Sequence, residues 1–234
     1  MPKAKACLVC GEELEYFNES RLMTCEYCHG TFSSNAACRS GHFVCDRCHA
    51  KQAVAHILAI CRETPSTDPQ QIALTMMRDP FVHMHGPEHH VLVGAALLAA
   101  YHNAGGAVDL AAALAEIQKR GAQVPGGACG FWGCCGAAVG AGVFMSVVTG
   151  ATPLSTDAFG LCNQATSMCL AVIGEVGGPR CCKRNSLLAI RQAAALCRDV
   201  LHVPVTLRDA PVCTFQAQNA QCIGGRCPFS AKRT

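Results

Sequence analysis

The sequence predicts a mainly α protein with a small metal-stapled module at its N-terminus and a cysteine-rich clasp at its C-terminus. Three observations carry that expectation. Cysteines fall in close pairs along the first fifty residues; the apolar fraction is built from small aliphatics rather than aromatics; and segments of helical period alternate with Pro and Gly.

The pairs are Cys7-x2-Cys10, Cys25-x2-Cys28, Cys38-x3-His42 and Cys45-x2-Cys48. A two-residue gap lets both thiolates of a tight turn reach one ion, and zinc takes four such ligands. Seven cysteines and one histidine therefore fill two tetrahedral sites, and two zinc ions are expected over residues 1–50 in a treble-clef or RING-like module. A disulfide framework fits less well, because seven is an odd count and no secretory signal precedes it. Sequential pairing would place Cys7, Cys10, Cys25 and Cys28 on one ion and Cys38, His42, Cys45 and Cys48 on the other. A cross-braced arrangement would exchange the middle pairs, and spacing leaves both open. With every position filled by protein, such sites are structural. Asp46, Arg47 and His49 are expected as solvated charge on the module's surface.

Residues 51–234 are expected to form one all-α domain. Half of the chain is apolar, yet only 6% is aromatic and 15% charged, which favours closely packed helices over an aromatic-rich sandwich. Val54, Ile57, Leu58 and Cys61 recur at helical spacing in Lys51–Arg62, which Pro65 closes. Thr67 or Asp68 caps a second helix with Pro69 in its first turn, and Asp79-Pro80 ends it. Pro87 opens a third, Glu88–Asn103, stopped by Gly105-Gly106. A fourth runs from Asp109 to Gly121, a fifth over Trp132–Thr149, a sixth over Phe159–Val176 and a seventh over Lys183–Leu201. The tail is turn-rich, with a short strand expected at Val205–Leu207. No internal repeat is evident.

From Ala122 to Thr156 no residue is charged. A membrane span needs about 20 apolar residues and basic flanks, so a buried helix is expected here, with Gly136, Gly140 and Ala141 allowing close packing. A net charge of +3 argues for no nucleic-acid partner. Nineteen cysteines without an export signal point to a reducing cytoplasm, and to an anaerobe, since so many thiols are an oxidation hazard.

Four further constellations could do chemistry. Cys129, Cys134 and Cys135 lie in a glycine-rich turn entering a helix, where the helix N-terminus favours thiolates and anions. Cys181 and Cys182 stand beside Arg180, Lys183 and Arg184, whose charge would stabilise a thiolate or an anionic cluster; one cysteine is expected to ligate and its neighbour to pack. Cys213-x8-Cys222-x4-Cys227-Pro228 ends as iron–sulfur proteins often do, although a third zinc site would also use it. Finally, His83-Met84-His85-Gly86-Pro87-Glu88-His89-His90 crowds histidines around a helix start, with His85, Glu88 and His89 as candidates for metal binding or proton transfer.

Gly41–Asp46, His85–His90, Cys135–Gly142, Thr149–Leu154 and Gly177–Arg184 together resemble the uncharacterised family known as domain of unknown function 5714. The resemblance spans nearly the whole chain. It implies proteins of anaerobic bacteria and archaea, sometimes joined to radical S-adenosylmethionine enzymes, and carries no established activity. Cys-x3-Cys-x2-Cys is missing from the chain, so such an enzyme is expected as a partner and not as an activity of this protein.

The leading expectation is thus a metal-binding redox or iron–sulfur, sulfur-handling protein of anaerobic metabolism. Cys129, Cys135, Cys181, Cys182, Cys213, Cys222 and Cys227 would converge on a cluster or a further metal beside Arg180 and Lys183. The alternative is a zinc-stabilised adaptor or accessory subunit of a radical S-adenosylmethionine or methyl-transfer enzyme, without catalysis of its own. A third reading centres a metal-dependent enzyme on His85, Glu88 and His89.

Overall fold

The computed structural model describes residues 7–232. Its first elements are strands that helical periodicity could not announce: β1 (Leu14–Thr24) and β2 (Thr31–Cys38) pair antiparallel, Leu14 opposite Cys38 and Thr24 opposite Thr31. A bulge between Tyr16 and Arg21 interrupts the register. The hairpin buries almost nothing of its own. Between residues 7 and 45 the buried side chains are Cys7, Cys25, Ala37, Cys38 and Cys45. Two strands with so little apolar cover are marginal in water, so their order must come from what holds their ends.

Two turns of one design hold them. Gly11 N–H donates to Cys7 O and Cys7 N–H to Glu12 O; His29 N–H donates to Cys25 O and Cys25 N–H to Gly30 O. Cys7–Glu12 and Cys25–Gly30 thus repeat one six-residue pattern, a small internal repeat. Each puts the residue after its second cysteine in the left-handed region, Gly11 at φ 78° and His29 at φ 56°.

Cys45 then caps α1 (Asp46–Glu63), whose buried face is Ala53, Val54, Ile57, Leu58 and Cys61. This helix starts five residues before the expected Lys51 because Cys48 sits in its first turn, and it runs unbroken across position 50. The Asp68 carboxylate accepts from Gln70 and Gln71 N–H to cap α2 (Pro69–Arg78). Asp109 does the same through Ala112 N–H for α4 (Leu110–Gly121).

At the centre lies α3 (Glu88–Asn103), buried continuously from Val91 to Tyr101. It packs against α1, α2, α4, α6 (Gly136–Thr149) and α8 (Cys182–Asp199). Contact on so many sides explains its lack of a polar face: Gly94, Ala95, Ala96, Ala99 and Ala100 let neighbours come close. A Cβ on Gly94 would stand 3.0 Å from the Gly140 carbonyl oxygen of α6, and one on Gly140 would stand 2.7 Å from His90 O. The apolar part of the uncharged stretch, α6, is therefore a largely buried helix. No helix among the described residues is long and apolar enough to cross a membrane.

One short turn of helix, α5 (Ala128–Phe131), precedes α6, which begins at Gly136 instead of Trp132 because Gly133 takes φ 65° and Cys135 is the cap. The uniformly small and apolar α6 also packs on α7 (Asp157–Val176). Val205–Leu207 forms no strand; it is an extended segment pinned by Thr206 N–H to Thr67 O. The tail closes with two single-turn 3-10 helices, Gln216–Gln218 and Gly224–Arg226, with Phe215, Cys227 and Phe229 buried in the core.

Candidate metal centres

The hairpin decides which cysteine pairs meet. The antiparallel register sets Cys7-Cys10, before β1, beside Cys38-His42, at the end of β2. Cys25-Cys28 lies at the turn, at the opposite end. The chain after His42 runs back to that turn: Glu26 N–H donates to Phe43 O, and Cys45 N–H to Cys25 Sγ at 3.3 Å. Two quartets result, Cys7-Cys10-Cys38-His42 and Cys25-Cys28-Cys45-Cys48, each with its ligand atoms within 4.8 Å of one another. The pairs alternate along the chain, so the cross-braced option is the one realised.

Their spacing has a metric meaning. Four sulfurs about 2.3 Å from one ion stand at tetrahedron corners about 3.8 Å apart. Cys10 Sγ to Cys38 Sγ is 3.8 Å in the first quartet, and Cys28 Sγ to Cys45 Sγ is 3.8 Å in the second. His42 Nδ1 lies 3.2 Å from Cys10 Sγ and 3.4 Å from Cys38 Sγ. Backbone amides point at the sulfurs, Val9 N–H at Cys7 and His42 N–H at Cys38. Burial would raise the Cys25 thiol, but the amides of Cys45, Cys28 and Tyr27 bring it down to about 6. Cys48 is pushed up to about 12, by burial first and then by its crowded neighbours Cys45, Cys28 and Cys25. One thiolate forms readily and the fourth resists, the situation a divalent cation relieves. Both quartets can hold a metal ion.

The seven cysteines expected to converge in the helical domain divide into two neighbourhoods at the start of α8. Cys181, Cys213, Cys222 and Cys227 line one small cavity, walled by Met84, Leu187, Phe215 and Phe229. Cys181 caps α8 and accepts from Arg184 N–H; Cys213 accepts from Phe215 N–H and Cys222 from Gly224 N–H, each at 3.4 Å. The last two repeat the amide-to-sulfur bond two residues on that Val9 makes to Cys7. Unlike the N-terminal quartets, these four offer no group of three within 4.8 Å.

The second neighbourhood holds Cys129, Cys135 and Cys182. Asn185 Nδ2 donates to Cys135 Sγ at 3.4 Å, and Cys129 is raised by burial and by the nearby Cys135. Burial pushes Cys182 up to about 12. The adjacent Cys181 and Cys182 thus serve different surroundings.

The basic residues beside them are already engaged. Lys183 Nζ donates to Met77 O (2.7 Å) and Val82 O (3.2 Å), lies 4.5 Å over the Phe215 ring, and is lowered to about 8 by burial. Arg184 donates to Gly177 O and Pro179 O. Arg180 reaches across to the hairpin, donating to Tyr16 Oη and covering its ring. Gly126 N–H donates to Asp46 Oδ2, which ties the loop before α5 to the first residue of α1.

Residues 57–230 match the model of a family of unknown function. The chain belongs to the DUF5714 family. No curated protein and no solved structure matches it. The family match takes in every thiol of the two C-terminal neighbourhoods and begins after both N-terminal quartets.

Of His85, Glu88 and His89, the structure places only Glu88 in a close group of potential ligands, and its companions there are His49 and His83. The group within 4.8 Å is His49, His83 and Glu88. His89 is buried with Nδ1 3.2 Å from Gly86 O and is lowered to about 3 by burial, while His85 is lowered to about 4, again mainly by burial. His49 went unrecognised because it is 39 residues from Glu88 and reads as surface charge; its place in the first turn of α1, beside Cys48, is what brings it in.

Proposed function

We propose that this DUF5714 protein is a metal-binding redox or sulfur-handling protein. In this reading Cys181, Cys213, Cys222 and Cys227 hold an iron–sulfur cluster, and the N-terminal quartets hold two structural zinc ions in a RING-like module. The single observation that carries it is four thiols from three chain segments around one cavity, spaced more widely than single-ion quartets. A cluster of several irons spreads its thiolates farther apart than one ion does, and four cysteines are its usual complement. Amides aimed at Cys181, Cys213 and Cys222 would stabilise the thiolates and tune the potential. Bound there, the cluster would supply one-electron chemistry; Lys183 and Arg184, with their donors on backbone carbonyls, would fix the α8 end of the cavity. All nineteen cysteines are unpaired, in keeping with a reducing cytoplasm.

The test is anaerobic purification with iron and acid-labile sulfide assays on wild type and Cys213→Ser. Iron and sulfide in the wild type, lost in the variant with zinc retained, is the expected result; a colourless wild-type protein containing zinc alone overturns it.

A second reading, a zinc-stabilised adaptor, is favoured by the hairpin's exposure: Tyr16 and Leu22 face solvent, Leu22 at 79%. Here residues 1–50 would dock a partner, a radical S-adenosylmethionine enzyme by family habit, while residues 51–234 stand as the helical domain. Deletion of residues 1–50 should then abolish the complex, and full-strength binding by the truncated protein refutes it.

A further inference from the structure

Beside the second quartet lies a cluster that neither the thiol centre nor the zinc sites use. Glu88 opens α3 and is fully buried, at 0% exposure. Its Oε1 accepts from His83 N–H at 3.0 Å. Its Oε2 has no hydrogen-bond partner. His49 Nδ1 stands 3.3 Å from that Oε2 and His83 Nδ1 stands 3.6 Å from Oε1. Neither imidazole nitrogen is in hydrogen-bonding alignment with anything; both are buried and unpartnered. The two rings lean on each other, centroids 4.7 Å apart and tilted by 52°.

A buried carboxylate oxygen with no partner costs about 1–3 kcal/mol or more, and such atoms in folded proteins call for an explanation. Here three orphaned donor atoms from two chain segments, the start of α1 and the run into α3, lie within 4.8 Å of one another. Lys183, the buried cation nearby, has turned its ammonium to Met77 O and Val82 O. The fold also reserves the carboxylate's place, since a Cβ on Gly86 would overlap Glu88. One ion would satisfy all three atoms at once.

We propose that His49, His83 and Glu88 bind a divalent transition-metal ion in an open three-ligand site. Two imidazoles and one carboxylate suit zinc or iron(II), and three protein ligands leave a position for water or a substrate atom. His49 and His83 keep 20% and 33% of their side chains exposed although the ligand atoms themselves are buried, so the site lies just beneath the surface. The site stands independently of the cluster assigned to the tail. Because His49 follows Cys48 directly, it also ties an open metal position to a closed structural one.

Full-length protein produced in cobalt-supplemented, zinc-depleted medium supplies the test. Thiolate-bound cobalt gives intense sulfur-to-metal charge transfer, whereas cobalt on nitrogen and oxygen gives only weak ligand-field bands. The wild type should carry one equivalent of cobalt beyond that reported by charge transfer. His83→Ala should lose that equivalent, and Glu88→Gln should weaken it by at least about tenfold. Both should keep the charge-transfer bands, with His102→Ala as a control that changes nothing. If every cobalt in the wild type is accounted for by thiolate bands, the proposal fails whether or not the variants fold. Equal cobalt content in folded His83→Ala and wild type overturns it as well, leaving a histidine–carboxylate pair in its place.

Discussion

Removing the metals from the N-terminal quartets should unfold the hairpin and leave the helical domain standing. Of the five buried side chains between residues 7 and 45, four are cysteines of the two candidate quartets, and the fifth is Ala37. Full burial of so small a side chain contributes about 1 kcal/mol, against at least about 1 kcal/mol of backbone entropy for each ordered residue. A structural zinc ion in such a quartet would supply about 10–16 kcal/mol, comparable to or larger than the entire net stability of a typical domain, about 5–15 kcal/mol. Nothing else in the module can replace it. The α3 core shares none of those ligands, so its packing should survive. Cys45→Ser is the sharpest single perturbation, because it removes a buried thiol from the second quartet while serine still suits the N-cap position of α1. Hydrogen exchange read by mass spectrometry is the assay. Amides of Leu14–Thr24 and Thr31–Cys38 should lose protection in Cys45→Ser and in chelated wild type, while Val91–Ala100 stays protected. Hairpin amides that remain protected after both metals are verifiably gone would refute the reasoning.

Gly140→Ala should destabilise the protein by about 1–3 kcal/mol in urea titrations, because the new Cβ meets the His90 carbonyl, backbone that cannot swing aside. Burial pushes the thiols of Cys61, Cys169 and Cys197 up to about 12 from an ordinary 9. Their contribution is whole below pH 9 and falls as pH rises toward 12, because the unfolded chain releases those protons first. Lys183, lowered to about 8 by burial, works the other way between pH 8 and 10.5. Three thiols outweigh one amine, so the urea midpoint should drop between pH 9 and 11, and less steeply in Cys61→Ala/Cys197→Ala. Arg180→Ala should loosen the module by about 1 kcal/mol, seen as faster proteolysis of the hairpin with unchanged metal content. Tyr16→Phe, which keeps the ring beneath the guanidinium, should show only part of that effect.

Much of the molecule was legible because its determinants are local. Asp68 and Asp109 cap helices through amides two and three residues on, and Pro69 and Gly105 punctuate within a turn. The hairpin was not legible. Its strands carry no clean alternation, since both faces are largely exposed. The expected convergence of seven thiols came out as four around one cavity and three elsewhere, because consecutive residues at the start of α8 face different neighbours.

By itself the amino-acid order determined the eight paired candidate ligands of the N-terminal module, the existence and rough extent of the long helices, and that the apolar part of the uncharged stretch packs against other helices. Only the tertiary structure decided the partnerships: Cys7 with Cys38 and not with Cys25, Cys181 with Cys213 and not with Cys135, Glu88 with His49 and not with His85. The reason is one of range. Caps and knuckles close within about five residues, whereas each of these pairings spans about thirty or more and depends on strand register and on how α1, α3 and α8 cross.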